Sequence, residues 1–366
     1  VGDSVQARVR RLVLAAGLAV GVVLTTAAPA AAHTVGGEHA TNYRTRVFGL
    51  SPAVTGIALR PIEHGDRLQL TNSTERDVVV LGYDGEPYLR VGPRGVFENR
   101  RSPATYLNRT RLGTDTPPAR TDTAAPPEWR RLSGGTTVRW HDHRAHWMSS
   151  EPPPVVRRSS DDPHLVQRFT IELRTGGDEL RARGDVWWIP PPSPWPWIAV
   201  AVVFGVVIVV GARTRWSVPW VGSALGVVLV ATAVHAVGAW GASSRGTANR
   251  LADTLPTLGA LALGVIAEVQ LFRRGMRAAA PLLVFAGLFV GIAIGLADLS
   301  GLSHSQLPTD LPYWIDRLTI ALALGGGFGV AVGAAFHVGA PVARRPEPRP
   351  STDARAAYET RSSIGR

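Results

Sequence analysis

The stretch Pro190-Pro191-Pro192-Ser193-Pro194-Trp195-Pro196-Trp197 divides the chain into two unlike parts. Proline fixes φ and removes a backbone donor, so this run forms a stiff stem that neither helix nor sheet readily crosses. The tryptophans at its end suit a water–lipid boundary, where amphipathic rings accumulate. Beyond the stem come apolar segments at about 197–211, 219–240, 256–272, 279–299 and 314–339. They approach or exceed the ~17–25 residues that a helix needs to cross a bilayer. Small residues are dense in them, as at Gly325-Gly326-Gly327, Gly329 and Gly333, and small residues let helices approach closely in lipid. The expectation for 194–340 is an all-α bundle of five transmembrane helices.

Before the stem the pattern changes to short strands between turn signals. Asp66 to Thr71 alternates, and Asp77 to Tyr83 is Val-rich. Glu86 to Val91 returns after Asp84-Gly85, a pair that tolerates φ > 0. Thr136 to His141 reads as a strand. Leu165 to Leu173 and Glu179 to Ile189 flank the turn Thr175-Gly176-Gly177-Asp178. Roughly seven such strands predict an antiparallel β-sandwich ectodomain, immunoglobulin-like or cupredoxin-like, over 33–193. The Pro/Thr/Ala-rich stretch 114–127 reads as an irregular loop.

The first residues carry an address. Arg8, Arg10 and Arg11 precede an apolar run from Leu12 to Leu24, and Ala30-Ala31-Ala32 follows. These are the parts of a secretory signal peptide over 1–32, with cleavage after Ala32. The β domain would then lie outside the cell membrane, with His33 as its new N-terminus. Five crossings would leave the loops 212–218 and 273–278 and the tail 341–366 in the cytoplasm. Arg213, Arg215, Arg273, Arg274, Arg277 and an Arg-rich tail fall there, against Arg245, Arg250, Asp253 and Asp310 outside. That asymmetry obeys the positive-inside rule. The tail is Pro/Arg/Ser-rich and reads as disordered.

The net charge of +11 comes from 39 cations, all of them Arg, against 28 acids. Much of it serves topology and contact with anionic headgroups, so the bilayer is the implied partner and a nucleic acid is not. Without Cys there is no disulfide, thiolate site or Cys nucleophile. The Gly-rich phosphate loop, H-E-x-x-H and G-x-S-x-G patterns are also missing, which points away from an enzyme.

The candidate chemistry lies in histidines. In Trp140-His141-Asp142-His143-Arg144-Ala145-His146-Trp147-Met148, a strand would project His141 and His143 from one face, with Asp142 on the other. His146 would supply a third imidazole if the strand ends in a turn. Such a set suits copper first and zinc second. The competing reading of the same residues is a loop hydrogen-bonded against the sandwich. His33, once freed, would add an α-amine and an imidazole, a chelating pair that also favours copper. In the bundle, His235, Asp298 and His304 fall towards the outer face and would form a vestibule receiving an ion from the β domain. Glu268 and His337 lie near the inner ends, so His235 and His337 cannot both ligate one haem.

An exported β-sandwich with His33 at its start, followed by a membrane bundle, resembles CopC-type copper-binding domains joined to CopD-type bundles. That resemblance implies copper handling and covers architecture and His33 only. The Met-rich stretches of some relatives are missing, since the chain has only Met148 and Met276. Gly82 to Arg90, Glu98 to Asn108 and Trp140 to Met148 resemble exported actinobacterial membrane proteins, which implies topology alone. Two functions follow as expectations: a transition-metal-handling membrane protein, or an envelope interaction protein whose bundle anchors a partner-binding β domain.

Overall fold

A computed structural model describes residues 39–244 and 246–338. The signal segment 1–32, His33, Arg245 and the tail 341–366 lie outside the described residues. Ten strands come first: β1 Tyr43–Ser51, β2 Ile57–Ile62, β3 Arg67–Asn72, β4 Val78–Leu81, β5 Pro87–Gly92, β6 Gly95–Asn99, β7 Trp129–Ser133, β8 Thr137–Trp140, β9 His164–Thr175 and β10 Asp178–Trp188. Seven form one antiparallel sheet in the order β1-β10-β9-β4-β5-β6-β7, and three form a second, β2-β3-β8. Two short helices, α1 Ala104–Leu107 and α2 Pro154–Arg158, sit in connections.

The β9 strand shows how sequence sets the inside. Phe169, Ile171, Leu173 and Thr175 are buried and alternate with exposed Arg168, Thr170, Glu172 and Arg174. With period two, one face therefore packs and the other is solvated. The packed face meets Leu68, Leu70, Val138 and Trp140 of the small sheet in a single core. Full burial of each such aliphatic side chain contributes about 1.5–3 kcal/mol. The expected hairpins form at Asp84-Gly85, where Gly85 has φ 77°, and at Gly176-Gly177, where both glycines have positive φ. The residues 114–127 carry no helix or strand.

The ten strands exceed the roughly seven expected. Six of them match the stretches read as strands, and β1, β2, β6 and β7 had no such stretch. The edge strand β7, Trp-Arg-Arg-Leu-Ser, is nearly all exposed, and the edge strand β1 mixes exposed and half-buried positions. Edge strands with one partner and charged faces lose the alternation that marks interior ones.

Among the described residues, four helices are long and apolar enough to cross a membrane: α3 Trp195–Ala212, α4 Ser217–Ala242, α5 Thr247–Val290 with its continuation to Leu296, and α6 Tyr313–Ala335. The five expected segments thus fall in four runs, because 256–272 and 279–299 share the third, of 50 residues. Gly275 interrupts that run at φ 78° and ψ 172°, values open essentially to glycine alone. Before Gly275 the run packs antiparallel to α4, with Phe272 against Gly222 and Leu229 against Gly264. After it the run packs antiparallel to α6, with Gly287 against Gly327 and Gly295 against Leu324. Since α4 and α6 are themselves antiparallel (Val228 meets Gly326, and Leu311 before α6 meets Gly238), the chain reverses at Gly275.

The β domain sits on the bundle through a hydrogen-bonded seam. Thr41 and Gln306 exchange backbone bonds of 3.0 and 2.9 Å. Ser305 donates its N–H to Asn42 Oδ1 at 2.9 Å and its hydroxyl to Ile189 O at 2.9 Å. Ser244, after α4, donates to Glu63 Oε1 at 2.6 Å.

Candidate functional site

The histidine cluster departs from its expected geometry at the first step. β8 ends at Trp140, so His141 and His143 do not follow strand alternation. The chain turns instead, because Asp142 captures its own neighbours: it accepts the Arg144 N–H at 3.1 Å, and Ala145 N–H donates to Asp142 O at 2.8 Å. Asp142 is fully buried and also accepts from Trp140 Nε1 at 3.0 Å and Arg144 Nε at 2.8 Å.

The three rings nevertheless approach one another. Centroids lie 5.7 Å apart for His143 and His146 and 6.5 Å for His141 and His146. Their nitrogens bond to the protein. His141 Nδ1 donates to Asp66 O at 2.9 Å while Nε2 accepts from Arg67 Nε at 3.1 Å. His143 Nε2 donates to Thr110 O at 3.1 Å, and His146 Nε2 to Arg111 O at 2.8 Å. The buried Nδ1 of His146 has no hydrogen-bond partner. Burial lowers the pKa of His141 and of His146, outweighing the pull of Asp66. Among the described residues, no group of three or more His, Asp or Glu is placed to hold a metal ion.

The turn instead clamps the domain. Arg144 donates to Leu81 O at 3.2 Å and Gly82 O at 3.3 Å, and its guanidinium lies 5.0 Å from the Tyr83 ring centroid. The Tyr83 hydroxyl donates to Asn108 Oδ1 and accepts the His143 N–H at 3.1 Å. Buried Glu86 accepts from Ser102 Oγ at 2.5 Å and Asp84 N–H at 3.0 Å. The stretches 82–90, 98–108 and 140–148 therefore interlock as one network. His33 lies outside the described residues.

A second constellation forms in the bundle. His235, near the end of α4, is held between two carboxylates: Nδ1 is 2.9 Å from Asp316 Oδ1, and Nε2 is 3.2 Å from Asp298 Oδ2. Asp316 enters from the first turn of α6 and is 3% exposed. Thr319, one turn on, donates its hydroxyl to Asp316 O at 2.7 Å and lies 3.5 Å from His235 Nδ1. Asp298 is delivered by a π-helical turn, Gly291–Leu296, in which Ala297 N–H reaches back to Ile292 O at 3.1 Å. Such wide turns recur at functional sites because they re-aim the residues that follow. Charged groups within membrane helices are costly unless paired, and they mark sites by default.

The arrangement limits the chemistry. The two carboxylates bind opposite nitrogens of one ring, so their oxygens and those nitrogens do not converge on a common ion. They converge on protons. Two acceptors on one imidazole are satisfied by an imidazolium, or by a neutral ring with one carboxyl protonated. Either way the three groups share a proton that can move between them.

Of the expected vestibule, His235 and Asp298 come together. His304 does not join them: its Nδ1 donates to Ser300 O at 2.7 Å, and it lines a cleft of about 460 Å³ at the seam. His39, His64, His146, Glu63 and Asp66 also face that cleft. Glu63 and His64 hold positive φ of 53° and 55°, a strained turn for non-glycine residues. Asp316 completes the triad. Its place at the head of an apolar helix, followed by Arg317, was the sequence signal for it. The strained turn at Glu63-His64 left no such signal. No protein-family model, curated protein or solved structure matches the chain.

Proposed function

We propose that this chain is a proton-coupled multi-pass membrane protein, with its β domain exported and docked over an Asp298–His235–Asp316 relay. The observation that carries this reading is the bridging of two carboxylates by one imidazole inside the bundle. In this reading the run 247–296 makes two crossings with Gly275 at their turn, giving five in all. The relay then lies at the exported end and the C-terminus is cytoplasmic, in keeping with the arginine bias. A proton entering at the seam protonates the triad and passes through the bundle to the cytoplasmic side, and this flow drives a solute when one is bound.

Infrared difference spectroscopy of the purified full-length protein tests it. A carboxyl or imidazole band should change with pH and disappear in His235→Gln. A spectrum without that band, or one unchanged by the substitution, refutes the relay.

A second reading keeps a transition metal, copper before zinc, on the exported domain. It is favoured by the buried, unpartnered Nδ1 of His146, which has a lone pair to offer, with His33 as a further ligand. Metal content of the full-length protein after copper loading tests it. Loss of one equivalent in His146→Ala supports the reading, and no bound copper removes it.

A further inference from the structure

Arg317 is 9% exposed and follows Asp316 on the buried face of α6. Its guanidinium makes hydrogen bonds to two backbone carbonyls: Nε to Gly301 O at 3.2 Å and Nη2 to His304 O at 2.7 Å. Both belong to the turn between Asp298 and the seam. The next residues, Ser305 and Gln306, are those that pair with Asn42, Ile189 and Thr41 of the β domain. A buried cation is costly to desolvate, and two carbonyls are ordinary partners for a loop-capping arginine. Those contacts by themselves make Arg317 a cap on the turn. The position argues for more, because one planar fork joins the helix carrying Asp316 to the turn that runs from Asp298 to the β domain.

We propose that Arg317 is a positioning residue that couples docking of the β domain to the protonation of the Asp298–His235–Asp316 relay. The inference rests on the relay reading above. The ionisable groups facing Arg317 are Asp316 and Tyr313 on its own helix, with the backbone of His304 against its fork; Asp316 in turn contacts His235 on α4, which reaches Asp298. A shift of the seam moves the carbonyls of 301–304, the fork follows, and the Asp316 carboxylate changes its distance from His235. Lysine cannot substitute, since a point charge on a flexible stem does not hold two carbonyls in fixed geometry.

The test is a double-mutant cycle read by infrared titration of the full-length protein. Gln306→Pro removes the N–H that donates to Thr41 O and so loosens the seam. Alone, it should move the relay's titration midpoint by about half a unit or more, and Arg317→Gln should move it by about one unit. Together they should not add, because the seam no longer reaches the relay. Arg317→Lys should keep the midpoint nearer to that of the unmodified chain yet still make it insensitive to Gln306→Pro. It also replaces Arg317→Gln in the cycle if the latter does not fold. Full additivity, or a relay unmoved by Gln306→Pro, overturns the coupling while leaving the relay standing. No titration in the unmodified chain removes the relay, and the coupling with it.

Discussion

Asp142 is a carboxylate with no contact with water, held by an indole N–H, a guanidinium and a backbone amide. Its replacement by Ala strands the Arg144 charge, and breaking a buried pair in this way costs about 3–5 kcal/mol. Chemical denaturation of the full-length protein, followed by tryptophan fluorescence, should show that loss in the β-domain transition alone. The histidines around this turn set a pH response. Burial lowers the pKa of His64, His141 and His146, so between that value and the ordinary ~6.5 the unfolded chain binds more protons than the folded one. Stability is then complete above about pH 6.5 and falls as pH drops below it. Melting of the metal-free protein across pH 5–8 should show that slope, and His64→Gln should reduce it. At this scale the sequence was half legible. His235 and Asp298 stood out as ionisable residues in apolar surroundings. The spacing of His141 and His143 did not give their geometry, because β8 ends one residue early and Asp142 bends the chain.

Gly275 is the element on which the bundle turns. Its φ of 78° with ψ of 172° lies where a Cβ is strongly disfavoured. Gly275→Val should cost about 1–3 kcal/mol of bundle stability, read as a lower melting temperature in detergent, although open space surrounds the site and no packing is lost. The helix contact between α3 and α6 fails differently. A Cβ on Gly205 would meet Gly325 O at 2.8 Å, so Gly205→Leu should push α3 off the bundle and leave the β domain folded. Hydrophobic runs of membrane length and glycine turns were readable because they depend on local chemistry. Edge strands such as β7 and the pairing of Asp316 with His235 were not, since only tertiary contact defines them.

The whole molecule is a β domain stitched to one end of a helical bundle, with the Asp298–His235–Asp316 triad, the proposed proton relay, beside the seam. Reporter fusions after residues 215 and 275 should fall on one side of the membrane, and those after 243 and 308 on the other. Two neighbouring fusions on one side would break the five-crossing reading. The most direct measurement of the central claim is proton uptake into proteoliposomes. Full-length protein would be reconstituted with a pH-sensitive dye inside, under an imposed membrane potential with external acid. The relay predicts interior acidification that falls at least about tenfold in His235→Gln and in Asp316→Asn, while both variants keep their folded tryptophan signal. Acidification at the same rate in all three proteins, or none in any, would contradict it.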